Sequence, residues 1–591
     1  MAIIETVRTK CRDCYKCVRA CPVKAIKVTR GSAPYELHAT VVEDFCIHDG
    51  TCLKECPQKA KKVRTDVPTV KRFFSRGERV AVSLAPSFAA ALPIDEPLKI
   101  VTALRRLGVS IVQETALGAE MVAAAQRQLL QTDGRSMISS ACPAIVSLVE
   151  KHFPEAREFL SPVVSPVIAH GRYLKRRYPG IRVVFIGPCV AKKDEISDPS
   201  VSDAVDVALT FQELMQWLDE AEIDPAQYPI GEFDPPYASY ARLFPADGGL
   251  LRTCEQTEIL SRSSVSVSGV ENCREVIKHL LRRERLPQLV EAMACPGGCL
   301  SGPFALGEPD YYLKRDRLIR YAERSLKAFG EKKRAEDYAE LLPLELLTRT
   351  YRDKKPKIVR PTQEQLKEIL EKTGKFSPED ELNCGACGYQ SCVEKAVAVF
   401  NGMADPEMCI PYMRQRAESM AHVVVGATPD GILVVSKDGI VIDMNQAAER
   451  ILGLSKRNVI GLHVNRIMDA QFFNAAVGKD EVVRGELTLG DRYIEQQVLW
   501  VKDQKLLVGF LIDVTEERRV AEKQRGIREE AVKRAQRVIE KQMAVAQKIA
   551  SLLGETTAET KVSLTELMKV IREEIPTPDG SKGGSGGSAV K

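Results

Sequence analysis

The chain has 591 residues, with 85 Lys and Arg against 80 Asp and Glu and a formal net charge of +5. So small an excess over that length excludes a nucleic-acid-binding polycation, and no run of about eighteen apolar residues is available to span a membrane. Seventeen cysteines, most in close-spaced groups and none behind a secretory leader, point to metal ligation in a reducing, cytoplasmic compartment.

The length suits several domains at roughly 100 to 200 residues each. The expected architecture is multidomain, α/β and α+β. Its first module covers residues 1–66, where Cys11, Cys14, Cys17 and Cys21-Pro22 are spaced as in a bacterial ferredoxin. A second run follows at Cys46, Cys52 and Cys56-Pro57. In two-cluster ferredoxins the fourth cysteine of each run serves the other cluster. That rule assigns Cys11, Cys14, Cys17 and Cys56 to one 4Fe-4S cluster, and Cys21, Cys46 and Cys52 to the other. Asp49 stands where the second run should hold a cysteine. A carboxylate is a harder donor than a thiolate, so an Asp49-ligated cluster would carry a labile iron or become 3Fe-4S. The alternative is a turn residue beside Gly50; His48 is a further candidate ligand.

Residues 70–345 alternate short apolar runs (Arg79–Leu84, Arg182–Gly187) with helical patterns (Pro97–Leu107, Glu120–Leu130). Such alternation implies an α/β domain whose site lies at strand ends. Three cysteine peptides punctuate it: Ser139-Ser140-Ala141-Cys142-Pro143, Gly187-Pro188-Cys189 leading through Lys192 to Glu195, and Met293-Ala294-Cys295-Pro296-Gly297-Gly298-Cys299. In this order they resemble the active-site signature of the iron-iron hydrogenases. The resemblance implies an H-cluster: a 4Fe-4S cubane on Cys142, Cys189, Cys295 and Cys299, with Cys299 bridging to a two-iron subsite carrying carbonyl, cyanide and a dithiolate-amine bridge. It further implies that Lys192 and the Ala85-Pro86-Ser87 loop face cyanides and that Met293 packs beside the subsite. Glu195 closes the second motif. Cys254 and Cys273 match no ligand position and read as small core residues.

The departures from the family pattern carry information too. Catalytic members usually have a proton-passing cysteine at the position of Ala141, and two glutamates at positions that counting assigns to Gln126 and Leu129; of that route only Ser161 remains. Gly187 replaces a common methionine, and Ser301-Gly302-Pro303 a glycine run. A missing positioned acid or base costs about 10²- to 10⁴-fold in rate. A chain that keeps the cluster ligands and gives up proton delivery looks like a slow hydrogen or redox sensor.

Residues 346–375 read as a linker with one amphipathic helix near 363–370. In residues 376–415, Cys384, Cys387, Cys392 and Cys409 resemble a small one-cluster 4Fe-4S domain, with a zinc site as the alternative. Residues 416–518 resemble a PAS domain, through Pro429–Val435, Gly439–Gly453 and the exit peptide Asp513-Val514-Thr515-Glu516. No cysteine follows Cys409, which excludes cysteine-flavin photochemistry and leaves a cofactor-free relay as the simplest reading; His422 and His463 read as surface residues. Over 519–575, Ala531, Val538, Val545 and Leu552 recur every seven residues, suggesting a parallel coiled coil and a homodimer, or else one helix folded back on the PAS domain. A short helix is expected over Ser563–Glu574. The tail 576–591 contains Gly583–Ser588, which reads as an appended flexible linker.

The partners expected are hydrogen and protons, a ferredoxin or similar electron carrier, a second copy of the chain, and a separate kinase or phosphatase as output. Two rival readings are an ordinary ferredoxin-linked catalytic hydrogenase, and a redox sensor or assembly factor that carries the cubane without the two-iron subsite.

Overall fold

The computed structural model describes residues 2–30, 37–254, 263–284, 286–328, 338–551, 562–563 and 565–567. Leu552, most of the expected Ser563–Glu574 helix and the glycine-rich tail lie outside them. The chain divides into two compact units, Met1–Arg414 and Gln415–Lys591.

The first unit opens with two small antiparallel sheets. Strand β1 (Ile4–Thr6) pairs with β4 (Lys61–Val63), and β2 (Ile26–Arg30) with β3 (Leu37–Val41). The helices Lys16–Ala20 and Thr51–Glu55 lie against each other between them. Each is entered through a residue in the left-handed region, Tyr15 (φ 53°) and Gly50 (φ 79°). Such entries curl the preceding loops into concave turns able to wrap an inorganic group.

Two parallel sheets follow. One has the order β6 (Ile111–Glu114), β5 (Val80–Leu84), β8 (Arg182–Gly187), β9 (Val207–Thr210). The other has the order β10 (Ser264–Ser268), β11 (Leu289–Met293), β7 (Met137–Ile138). Strands β5 and β11 are buried at every position, as the near-continuous apolar runs of a sheet covered on both faces require. The expected helices appear as Lys99–Arg106 and Ala116–Thr132. Each of β5, β7, β8 and β11 ends where a motif peptide begins, at Ala85, Ser139, Pro188 and Ala294. The carboxyl ends of both sheets therefore deliver the motifs, as the general rule for open α/β sheets anticipates.

The segment read as a linker is more than a tether. Its helix Gln363–Glu371 begins with a capping box at Thr362 and packs on the helix Cys392–Phe400. Together they wall the cysteine-lined cavity of the small domain.

In the second unit, five antiparallel strands run in the order β13 (Val441–Met444), β12 (Gly431–Ser436), β16 (Leu506–Asp513), β15 (Arg492–Val501), β14 (Val483–Leu489). Strand β12 alternates buried and half-buried residues, and its inner face joins Phe473, Ile494, Val498 and Leu511 in one core. The helix Thr515–Ala550 follows, with Ile527, Val538 and Val545 between 55% and 61% exposed. Among the described residues no helix is long and apolar enough to cross a membrane.

Candidate metal centre

At the converging strand ends lies a cavity of about 120 Å³, several times what a single water needs. Cys142, Cys189, Cys295 and Cys299 line it, together with Ala85, Pro86, Ser87, Ala141, Lys192 and Met293. Gly298 allows the last turn to close. It sits at φ 78°, and a Cβ there would fall 2.3 Å from the Pro245 carbonyl oxygen. At Gly187 a Cβ would meet the Phe185 ring at 2.5 Å. Phe185 also lines the cavity, so an aromatic ring fills room next to the site where relatives carry a methionine.

The four thiols fit a polycationic group. Burial pushes Cys189 up to about 11, and the neighbouring Cys142 adds to it. Burial raises Cys295 and Cys299 further, reinforced by the other cysteines. Cys299 has open surface, but that surface faces the cavity. Four thiolates could share so dry a space only around metal cations, which deprotonate a coordinating thiol outright. Ser87 adds a buried hydroxyl with no hydrogen-bond partner among the described residues.

Lys192 is buried on the helix Ala191–Glu195. Its ammonium donates to Glu195 Oε2 (2.7 Å), Ser165 Oγ (3.0 Å) and the Ala141 carbonyl (3.3 Å). Arg349 approaches Glu195 from the far side at 3.7 Å. The ammonium is thus held at the cavity wall by residues of three segments, a fixed charge in a dry site.

The positions expected for proton delivery are also filled. Ser161 Oγ donates to Gln126 Oε1 at 2.6 Å, both residues being buried. Leu129 packs against the apolar cluster of Met137, Leu251 and Leu289. Cys254 and Cys273 are both 1% exposed.

The ferredoxin-like lobe brings its cysteines into two sets. Cys11, Cys14, Cys17 and Cys56 line one small cavity. Cys21, Cys46, Cys52 and Asp49 influence one another's titration, and burial raises all four groups, Cys21 to about 11 and Cys52 to about 12. Asp49 accepts a hydrogen bond from the Thr51 hydroxyl. His48 and Asp49 also reach the wall of the main cavity. In the small domain, Cys384, Cys387, Cys392 and Cys409 line a third cavity, with Lys375 donating to Cys409 Sγ at 3.4 Å. Among the described residues no three His, Cys, Asp or Glu side chains converge on a point that would hold one metal ion.

Several residues at these sites carry no signal in a single sequence. His48 is enclosed between Glu43 (2.6 Å) and Asp194 (3.5 Å). Burial pulls its pKa down, but the two carboxylates override it and lift the imidazole to about 9. Glu291 lines the main cavity; burial pushes its carboxyl up to about 7 against the backbone N–H groups of Leu250 and Leu251. Such partners come from distant segments, so only the fold pairs them.

Comparison with known proteins agrees with this layout. The model of the iron-only hydrogenase large subunit, C-terminal domain, matches residues 78–303. A 4Fe-4S dicluster domain matches 10–60, an Fe-S cluster domain 380–411 and the PAS fold 419–508. The NADP-reducing hydrogenase subunit HndD of Solidesulfovibrio fructosivorans is 26% identical over 53% of this chain and 66% of its own length. Iron hydrogenase 1 of Clostridium pasteurianum is 26% identical over 50% and 63%. The chain thus spans just under two thirds of both relatives. The cytosolic Fe-S cluster assembly factor NAR1 of Eremothecium gossypii is 25% identical over 28% of this chain and 51% of its own. A solved apo FeFe-hydrogenase, HydA1 of Chlamydomonas reinhardtii, aligns at 20% identity over 47% of this chain and 95% of that one, with a TM-score of 0.38. Residues 78–303 are the C-terminal domain of an iron-only hydrogenase large subunit, joined in this chain to iron–sulfur domains and a PAS domain.

Proposed function

We propose that the chain activates molecular hydrogen slowly at an H-cluster and reports hydrogen or redox state through its PAS domain and the helix that follows. The observation that carries the reading is the single buried cavity lined by Cys142, Cys189, Cys295, Cys299 and Lys192. When bound, the cluster supplies hydrogen binding and the exchange of electrons and protons with it. The cysteines hold its cubane. Lys192, neutralised on one side by Glu195, turns a fixed positive charge toward the anionic ligands of the subsite. Ser87 offers them a hydrogen-bond donor, and Met293 and Phe185 keep the pocket apolar.

Slow turnover follows from Ala141 and Gln126. Neither can take up and release a proton near neutral pH, although the hydrogen bond from Ser161 to Gln126 keeps the outline of a route. The Cys21, Cys46 and Cys52 set with Asp49, the Cys11 set and the Cys384 set would hold accessory clusters that exchange electrons with a ferredoxin-like carrier. The exposed apolar positions of the helix Thr515–Ala550 suit a second copy of the chain. The output partner is a separate kinase or phosphatase, and the compartment is the cytoplasm.

Infrared spectroscopy of anaerobically matured protein tests the central claim. Carbonyl and cyanide bands are expected. Their absence after maturation with a supplied two-iron complex would instead favour the cubane-only reading, which the similarity to NAR1 proteins supports. Bands together with turnover as fast as ordinary catalytic hydrogenases would favour a ferredoxin-linked enzyme.

A further inference from the structure

The three accessory cysteine sets raise the question of which exchanges electrons with which. Within the first unit the small domain is fixed onto the ferredoxin-like lobe at several points. The Val28 backbone N–H donates to the Met403 carbonyl at 2.9 Å, and the Arg19 guanidinium to the Ala386 carbonyl at 3.2 Å. Gly388, at φ 97°, approaches so closely that a Cβ there would lie 3.0 Å from both the Arg19 nitrogen and Val18 Cγ1. The next residue, Tyr389, is 5% exposed and shares one apolar core with Cys17, Val18 and Cys21, while Cys387 packs against the same core. Its hydroxyl is buried and has no hydrogen-bond partner among the described residues. A phenol is seldom buried without an acceptor, and cluster sulfur is the acceptor that the cysteines on either side would bring.

We propose that Tyr389 bridges the cluster of Cys384, Cys387, Cys392 and Cys409 to that of Cys21, Cys46 and Cys52, its hydroxyl donating a hydrogen bond to a cluster sulfur. The Asp49-bearing site then becomes a junction. It meets the small domain through Cys21 and Tyr389, and the hydrogenase cavity through His48 and Asp49. In the transfer one cluster loses an electron and the other gains it. No bond forms or breaks, and Tyr389 keeps its proton. The inference rests on the reading that both cysteine sets hold iron–sulfur clusters.

The test uses the full chain with clusters reconstituted, its iron and acid-labile sulfide counted, then reduced with dithionite. Electron paramagnetic resonance of the parent should show the two reduced clusters splitting each other's signals. Gly388→Val, which forces Val18 and Arg19 apart from the small domain, should lose the splitting at unchanged iron content. Tyr389→Phe keeps the ring and should keep the splitting. It should lower the midpoint potential of one of the two clusters, because hydrogen bonds to cluster sulfur help set that potential. An unsplit spectrum from fully loaded parent, or unchanged potentials in Tyr389→Phe, overturns the bridge. Iron short of the small domain's cluster overturns the cluster reading itself, and the bridge with it.

Discussion

Rebuilding the proton route should accelerate the enzyme only as a set. The perturbation is Ala141→Cys with Gln126→Glu and Leu129→Glu. Ala141 borders the cavity and holds the Lys192 ammonium through its carbonyl, so a thiol there faces the cluster site without disturbing that bond. A glutamate at 126 inherits the Ser161 hydrogen bond, now to a group that titrates. At 129 the change replaces a leucine of an apolar cluster, and there a lone carboxylate is costly and stays protonated. One positioned acid or base is worth about 10² to 10⁴ in rate, or roughly 3 to 5 kcal/mol of barrier. A relay conducts only when unbroken, so most of that gain should appear in the triple variant. The excess over the summed single changes should fall within the roughly 0.5 to 3 kcal/mol typical of coupled neighbours. Hydrogen evolution from a chemical reductant, at equal cluster loading, measures it. If the parent already matches ordinary catalytic hydrogenases, or the three changes simply add, the missing groups do not limit the rate and the sensory argument loses its physical basis.

Three other outcomes are expected. Asp49→Cys should turn a cluster with a labile iron into a robust 4Fe-4S one with a changed electron-spin signal; an identical spectrum removes Asp49 from the ligands. His170 is fully enclosed between Ser83 and Gln113, and burial alone holds its imidazole down at about 3. The unfolded chain takes up that proton near pH 6.5, so it binds more protons than the folded chain below that value and stability falls with pH, by about 2 kcal/mol between pH 7 and 5. In urea titrations His170→Gln should lose that share of the acid sensitivity, and an equal slope in both proteins refutes the assignment. Truncation after residue 518 should yield monomers in solution scattering, whereas a persistent dimer places the interface elsewhere.

Much of the site is legible in the sequence because cysteine spacing is a local record of metal chemistry. Cys295 and Cys299, or Cys384 and Cys387, announce themselves within a few residues. The strands that carry the motifs are equally plain, since a sheet buried on both faces needs unbroken apolar runs such as Val80–Leu84. The polar support is different. Glu195 is visible as part of a motif, but its partners Ser165 and Arg349 are not, because no spacing rule links them. Tyr389 reads as an ordinary residue of a cysteine-rich turn until the fold sets it beside Cys21. The helix near 363 is legible as amphipathic, yet its apolar face does not say that it walls a cluster cavity.

The placement of the four hydrogenase cysteines at the ends of strands from two separate sheets also bears on how the domain assembles. Cys142 and Cys295 follow β7 and β11 of one sheet, and Cys189 follows β8 of the other. A metal group joining them would staple segments that are remote along the chain, removing many open conformations from the unfolded ensemble much as a long-range cross-link does. Loading the site would therefore stabilise the folded domain in proportion to its affinity. Both sheets must already be in register before all four ligands are present, which makes cluster insertion a late event that certifies a correctly built scaffold.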